Sequence, residues 1–137
     1  MTNETREALM LLKEQLSASE EATHRFAMLR DALSRSASGG GVAEPTAAAE
    51  RSLAEVRALA RRQTELLAAT EAHSLADLLA REPNLRERMA VERVLRAVAA
   101  RQVELQEFVR RCGGLLQASA DFVSYQLNVA SGTVADD

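Results

Sequence analysis

The longest stretch of helical apolar spacing lies in the C-terminal half of the chain, in residues 85–128. No proline interrupts this stretch, and alternating steps of three and four residues place its apolar positions on a single seam. The seam positions are Val91, Leu95, Val98, Gln102, Leu105, Val109, Cys112, Leu116, Ser119, Val123 and Gln126. The pattern predicts a long amphipathic helix over residues 85–129, followed by a tail over residues 130–137.

The apolar stripe of this helix widens toward its C-terminal end. The additional apolar positions beside the seam are Phe108, Leu115, Phe122 and Val129. Gly113 and Gly114 interrupt the same region, and an interior glycine costs a helix about 1 kcal/mol relative to alanine. Either another backbone approaches closely at these glycines or the helix bends there. We favour a hinge at Gly113 and Gly114, because the wider apolar surface lies beyond them.

A first helix is predicted over residues 5–37, near the start of the chain. Asn3 or Thr5 can serve as its N-cap, with Glu4 and Glu7 close to its positive N-terminal end. Its predicted seam consists of Leu9, Leu12, Leu16, Ser19, Thr23, Phe26 and Leu33. Three consecutive glycines then favour a flexible loop over residues 38–44.

A second helix is predicted over residues 45–72, beginning at Pro45 or Thr46. Its inner stripe consists of Leu53, Val56, Leu59, Ala60, Gln63, Leu66, Leu67 and Thr70. The first two helices have similar lengths and are joined by a loop that allows the chain to reverse. They are therefore predicted to pair as an antiparallel hairpin.

A short helix over residues 75–81 is predicted between the hairpin and the long C-terminal helix. Ser74 is a good N-cap with Asp77 three residues later, and Pro83 should stop the helix. Asn84 then caps the long helix. The predicted fold class is therefore all-α, a single domain over residues 1–137. It consists of an antiparallel long-helix hairpin plus a long C-terminal helix, a three-helix, coiled-coil-like bundle with one short connecting helix.

The composition agrees with long amphipathic helices and excludes several functions. Hydrophobic residues make up 47% of the chain but aromatic residues only 3%, so alanine and leucine supply most of the apolar surface. The net charge of −3 argues against a nucleic-acid partner, which requires a basic face. The N-terminus lacks the features of a signal peptide, and no uncharged run is long enough to span a bilayer. We expect a cytoplasmic protein without stable membrane insertion.

Few residues could carry catalysis. His24 lies three residues after Glu21, which is half of a di-iron bundle motif, but no second copy follows. The single cysteine, Cys112, lies on the apolar seam, where a small buried side chain is the simplest interpretation. We therefore expect no catalytic, cofactor-binding or metal-binding residues, no cofactor and no enzymatic activity. A metal-dependent helical-bundle enzyme based on Glu21 and His24 is kept as an alternative.

The remaining candidate for function is the apolar surface near the C-terminus. The candidate binding residues are Phe108, Val109, Leu115, Leu116, Ser119, Phe122, Val123, Tyr125 and Leu127. This surface can accept an amphipathic helix from another protein. Alternatively, the first two helices cover it and complete an intramolecular bundle. A further alternative is a structural coiled-coil protein that self-associates through the seam, with a homodimer as the corresponding assembly.

The C-terminal pattern resembles the end of the FlgN family of flagellar export chaperones. The similar residues are Leu115, Leu116, Ser119, Phe122, Val123 and Leu127, together with residues 74–79 and 85–88 of the middle section. This chain has Cys112, Gly113 and Gly114 where that family often has an asparagine. The resemblance implies a cytoplasmic type III secretion chaperone without ATPase activity. Its implied partners are hook-associated (hook–filament junction) flagellar proteins, whose terminal helices it would keep from assembling early, and components of the flagellar export gate.

Overall fold

The chain forms an all-α bundle, seen in a computed structural model that describes residues 1–35 and 41–113. Four helices lie in these ranges, namely α1 (Asn3–Arg35), α2 (Ala43–Thr70), α3 (Leu75–Ala80) and α4 (Leu85–Arg111). Three of the helices are long and pack together, and α3 is the short connection before α4. The predicted fold class is therefore confirmed.

The central helix of the bundle is α1, which packs against both α2 and α4. It runs antiparallel to α2, since Gln15 pairs with Gln63 and Glu14 pairs with Arg62. It runs parallel to α4, because Thr2 contacts the chain just before α4 and Phe26 contacts the chain just after it. Within the described ranges, no Cα atom of α2 lies within 8 Å of one in α4. The side chains of α1 therefore lie between the other two long helices.

The seams predicted for α2 and α4 are largely those that the fold buries. In α4, every predicted seam position from Val91 to Cys112 is buried. In α2, Leu66 and Thr70 are only partly buried, whereas the other predicted positions are buried and Ala49 joins them. Each of these helices thus contributes one narrow stripe to the bundle, as expected for coiled-coil-like packing.

The seam predicted for α1 was less accurate. Leu9, Leu16, Thr23 and Leu33 are only partly buried. The buried positions are Thr5, Ala8, Leu11, Leu12, Gln15, Ala18, Ser19, Ala22, Phe26 and Leu29. Because α1 has neighbours on two sides, it buries a wider stripe than one heptad seam can describe. Small alanine side chains on that stripe allow the neighbouring helices to approach.

The N-terminal boundaries of α1 and α2 differ from the predicted ones. Thr2 caps α1, since its Oγ1 accepts a hydrogen bond from the Thr5 N–H at 3.1 Å. Thr5 itself is buried inside the helix, so the predictions of Asn3 or Thr5 as cap were wrong. Helix α2 begins at Ala43, two residues before Pro45. Proline is compatible with the first turn of a helix, because backbone N–H groups there lack intrahelical partners.

The predicted caps of α3 and α4 are confirmed. Ser74 Oγ accepts a hydrogen bond from the Asp77 N–H at 3.0 Å, and Asn84 Oδ1 accepts one from the Glu87 N–H at 3.1 Å. The Asp77 carboxylate in turn accepts a hydrogen bond from the N–H of His73, the residue before the N-cap, at 3.1 Å. These side chains satisfy backbone donors that the first turn leaves free.

The core consists of two apolar clusters. We call the first the Phe26 cluster; it contains Leu11, Ala18, Ala22, Phe26, Leu29, Ala49, Leu53, Val56, Leu59, Leu105, Val109 and Cys112. The second, the Leu78 cluster, contains Ala8, Leu12, Leu67, Leu75, Leu78, Leu79, Val91, Leu95 and Val98. All three buried leucines of α3 belong to the Leu78 cluster, so α3 fills one end of the bundle.

Helix α4 ends at Arg111, where the prediction had one continuous helix to residue 129. Cys112 is its C-cap, and its N–H donates to the Phe108 carbonyl at 3.1 Å. Gly113 follows with φ of +80°, in the left-handed region that commonly ends helices. Residues 114–129 of the predicted helix lie outside the described residues.

Candidate functional site

The described residues include only the beginning of the predicted binding surface. Phe108, Val109 and the first hinge residue, Gly113, can be placed. The predicted positions outside the described residues are Gly114, Leu115, Leu116, Ser119, Phe122, Val123, Tyr125 and Leu127. The described part of the candidate site therefore consists of the end of α4 and the side chains of α1 that contact it.

Val109 points into the bundle. Its side chain is 0% exposed and belongs to the Phe26 cluster, together with Leu105 of the same helix and Phe26 of α1. Val109 therefore stabilises the bundle in this arrangement, and it is not part of an accessible binding surface. The seam position predicts this burial correctly, because the same spacing continues from Val91.

Phe108 lies at the edge of the core. It is partly buried and packs against the Phe26 cluster. The Arg30 guanidinium carbon of α1 lies 5.0 Å from the centre of the Phe108 ring, and that of Arg111 lies 5.9 Å from it. Both distances fall within the range of cation–π attraction. Arg30 was not predicted for this site, since no sequence spacing connects residues of α1 with the end of α4.

Cys112 closes the Phe26 cluster at the end of α4. It is 5% exposed, and its Sγ lies 3.8 Å from the Phe26 carbonyl oxygen, which accepts a weak S–H hydrogen bond. Burial raises the pKa of the Cys112 thiol, and the nearby Arg30 guanidinium opposes this effect without overcoming it. A buried thiol with a raised pKa is a poor nucleophile. The sequence-based expectation of a buried seam position is confirmed.

Gly113 is the predicted hinge residue whose backbone conformation can be described. With φ of +80° it lies outside the helical region, and a Cβ placed on it would meet no atom of the described residues within 4 Å. The requirement for glycine is thus conformational and not a matter of space.

Glu21 and His24, the residues of the alternative metal-site prediction, lie on the outer face of α1. His24 is exposed, and the Glu21 carboxylate accepts a hydrogen bond from Arg25 Nε at 2.9 Å within the same helix. In the described part of the chain, no group of three or more histidine, cysteine, aspartate or glutamate side chains is placed to hold a metal ion. Glu21 and His24 therefore remain an isolated pair there.

One polar site of the bundle was not predicted from the sequence. Glu82, between α3 and α4, is 3% exposed. Its Oε1 accepts from the Thr2 N–H at 2.9 Å, and its Oε2 accepts from the Asn84 N–H at 3.0 Å. The hydrogen bond from Thr2 is the main cause that lowers the pKa of Glu82 from 4.5 to about 2, while burial acts in the opposite direction. The site ties the start of α1 to the start of α4.

The described surface also has an open groove between α1 and α2. Its volume is about 380 Å³, and its lining residues include Met10 and Leu66 with the charged Glu7, Arg62 and Glu65. Across its edge, Arg62 pairs with Glu14 at 2.9 Å. The groove lies far along the chain from the predicted binding residues, on a different pair of helices.

Comparisons with known proteins identify no relative: no family model, no curated protein and no solved structure matches the chain. In the described ranges, no helix combines the length and the apolar character needed to cross a lipid bilayer. Support for a function therefore comes from the sequence pattern and from the placement of the described residues.

Proposed function

We propose that this protein is a FlgN-like export chaperone that binds the terminal amphipathic helices of hook-associated flagellar proteins. It keeps those helices from assembling before export and delivers them to the flagellar export gate in the cytoplasm. Binding requires no catalysis and no cofactor. Because no family model matches, the proposal depends on the residue pattern of the C-terminal segment and on the bundle that carries it.

The single observation that carries the proposal is the position of the motif relative to the bundle. Helix α4 ends at Arg111, and the FlgN-like residues of the C-terminal segment begin only a few positions later, at Leu115. Gly113, with φ of +80°, separates the two. A rigid bundle followed directly by an amphipathic segment can present that segment to a partner helix. Pairing of apolar stripes then supplies the binding energy.

Phe108 extends the apolar surface back onto the bundle. Its partly buried ring is held at the edge of the core by Arg30 and Arg111. A client helix that contacts residues 115–127 could reach this ring, whereas Val109 stays in the core. Among the described residues, the accessible part of the proposed site is therefore Phe108, with Val109 as a supporting residue.

A pull-down with hook-associated proteins from the same genome tests the proposal. The wild-type chain should retain at least one of them, and the Leu116→Asp/Phe122→Asp double variant should lose it. The matched control is Met10→Asp, because Met10 is a 63% exposed apolar residue on α1 outside the proposed site. Circular dichroism should show the same helix content in all three proteins. Client binding that survives the double substitution, or no binding by the wild type, would refute the proposal.

Self-association is the second candidate function, and it has an observation of its own. Met89 and Val103 are exposed apolar residues on α4 that lie two heptads apart, with the exposed Arg96 midway between them. Two exposed apolar positions on the same face of a helix can contact a second copy of the chain. Light scattering over a dilution series distinguishes the candidates, since a monomer that persists through low micromolar concentrations excludes self-association as the function.

A further inference from the structure

A buried polar layer crosses the middle of the bundle. Its members are Gln15 and Ser19 of α1, Gln63 of α2 and Gln102 of α4, and each is at most 3% exposed. Gln15 Nε2 donates to Gln63 Oε1 at 2.8 Å. Glu20 and Arg101 pair at 3.6 Å, which places Ser19 and Gln102 at neighbouring levels of α1 and α4. All three long helices therefore contribute to the layer.

The hydrogen bonding of this layer is incomplete. Gln15 Oε1, Ser19 Oγ, Gln63 Nε2 and Gln102 Oε1 are buried without a hydrogen-bond partner among the described residues. A buried polar atom without a partner keeps the cost of leaving water. Packing at this level consequently stabilises the bundle less than an apolar layer of the same size would.

The polar layer separates the two apolar clusters. On α2 and α4, every member of the Phe26 cluster lies on one side of Gln63 and Gln102, and every member of the Leu78 cluster lies on the other. On α1, the division falls at Gln15, with Leu11 as the exception. Leu66 contacts both clusters from a partly buried position. The core is thus two apolar regions joined through a polar one.

The end of the bundle that holds the Leu78 cluster is cross-linked. Glu82 joins the start of α1 to the start of α4, as described above. Arg81 donates to the Thr70 carbonyl at 2.7 Å and to the Glu71 carbonyl at 3.0 Å, which joins α3 to the end of α2. The three leucines of α3 fill the space between the long helices there. Opening this end requires the loss of all of these contacts together.

The opposite end is built differently. Val42 caps α2 without a side-chain hydrogen bond, and α4 ends at Cys112 and Gly113. The Phe26 cluster includes four small side chains, Ala18, Ala22, Ala49 and Cys112. Its described contacts include apolar packing, the weak Cys112–Phe26 hydrogen bond and the contacts of Arg30 and Arg111 with the Phe108 ring.

We propose that the polar layer is a built-in boundary between two opening units. The half of the bundle that contains the Phe26 cluster opens while the half that contains the Leu78 cluster stays closed. Subglobal opening of this kind occurs where one part of a fold is held by fewer cooperative contacts than the rest. The inference concerns the bundle alone and does not depend on the proposed function.

Thiol labelling measures the opening of each half separately. Cys112 is the only cysteine, so it reports on the Phe26 half of the wild-type chain. In a Cys112→Ala background, Val56→Cys places a second probe in the same half, on α2. Val91→Cys and Val98→Cys place probes in the Leu78 half, on α4. All of these valines are buried, and valine and cysteine are similar in size.

Labelling rates are normalised to those of the unfolded chain. They are compared at urea concentrations that give every variant the same free energy of global unfolding. A lower global stability of one variant then does not by itself raise its labelling rate. We expect Cys112 and the Val56→Cys probe to react roughly 100-fold faster than the two probes in the Leu78 half. Fast labelling of Cys112 alone would mean fraying at the end of α4, and it would overturn the inference. Equal rates at all probes would overturn it as well.

The second part of the labelling experiment removes the polar layer. Gln15→Leu/Gln63→Leu/Gln102→Leu, introduced with each probe, joins the two clusters into one apolar core. The difference in labelling rate between the halves should fall to less than about threefold, because the halves then open together. The matched control, Ser17→Ala, lies on the exposed face of α1 beside the layer and should leave the difference unchanged. An unchanged difference in the triple variant would show that the layer is not the boundary.

Discussion

Glu82 shows how a single carboxylate can join distant parts of the chain. Thr2 and Asn84 donate backbone hydrogen bonds to its two oxygens, and Thr2 lies 80 residues away in sequence. Donors that favour the charged form of a carboxylate lower its pKa, and here they outweigh the opposing effect of burial. The unfolded chain loses these donors. Glu82 therefore binds a proton more readily in the unfolded state than in the folded state.

The first prediction follows from this difference. Because the pKa of Glu82 is lowered to about 2 from 4.5, its contribution to stability is complete above pH 4.5 and is lost as the pH falls toward 2. Glu82→Gln should be less stable than the wild type near neutral pH, and the two should converge as the pH falls through that window. Urea unfolding at a series of pH values measures this.

The control for this experiment is Glu50→Gln, at an exposed position on α2. It should keep the pH profile of the wild type throughout. A stability difference between the wild type and Glu82→Gln that does not change between pH 5 and 2.5 would contradict the assigned role of Glu82.

At the same residue scale, the sequence predicts local contacts well and distant ones poorly. Ser74 and Asn84 are recognisable caps, because each bonds a backbone N–H three residues along the chain. The true cap of α1, Thr2, was missed in favour of Asn3 or Thr5, since all three residue types are good caps. Nothing in the sequence connects Thr2 with Glu82 or Arg30 with Phe108, because those contacts exist only after the helices pack.

Among the elements, α4 determines where the bundle ends. Its seam is regular up to Cys112, and the heptad pattern alone would extend it to residue 129. The structure ends the helix earlier, because Gly113 adopts φ of +80° directly after the C-cap Cys112. A hydrophobic pattern therefore located the buried face of α4 correctly and its C-terminus incorrectly. The hinge at Gly113 and Gly114 stays a prediction.

The second prediction concerns this helix end. A non-glycine residue in the left-handed region costs about 1 kcal/mol or more, and asparagine costs less than alanine. Gly113→Ala should therefore lower the free energy of unfolding by about 1 kcal/mol, and Gly113→Asn by a smaller amount. Urea unfolding monitored by circular dichroism measures both variants.

The comparison of the two substitutions is the internal control. Since a Cβ at this position meets no atom of residues 1–35 and 41–113 within 4 Å, steric overlap with this part of the chain contributes to neither variant. A Gly113→Ala variant that is more stable than the wild type, with increased helix content, would show instead that the helix continues through this position.

For the whole molecule, the architecture could be predicted because each long helix carries a distinct periodic pattern bounded by clear breaks. The arrangement of those helices could not. Helix α1 lies between α2 and α4, and this central position explains why its buried stripe is wider than its predicted seam. The division of the core into two apolar clusters could not be predicted from the sequence either. Gln63 and Gln102 lie on predicted seams, but only the folded bundle brings them to the level of Gln15 and Ser19.

The final prediction tests the energetics of that polar layer at equilibrium. Gln15 and Gln63 share a hydrogen bond in the core. Removing one partner leaves the other buried and unpaired, which costs about 1–3 kcal/mol, whereas replacing both with apolar groups of similar shape is close to neutral or stabilising. Gln63→Leu alone should therefore be less stable than Gln15→Leu/Gln63→Leu, and the double variant should be at least as stable as the wild type. Urea unfolding of all four proteins completes the double-mutant cycle.

The exposed pair of Glu14 and Arg62, with 2.9 Å between its charged groups, is the matched control on the same two helices. Because both side chains are more than half exposed, the coupling between Glu14→Gln and Arg62→Gln should stay below about 1 kcal/mol. The coupling between the two glutamines should clearly exceed it. If the two Gln→Leu changes were instead simply additive, the hydrogen bond between Gln15 and Gln63 would contribute nothing specific. The polar layer would then act only through the desolvation of its separate side chains.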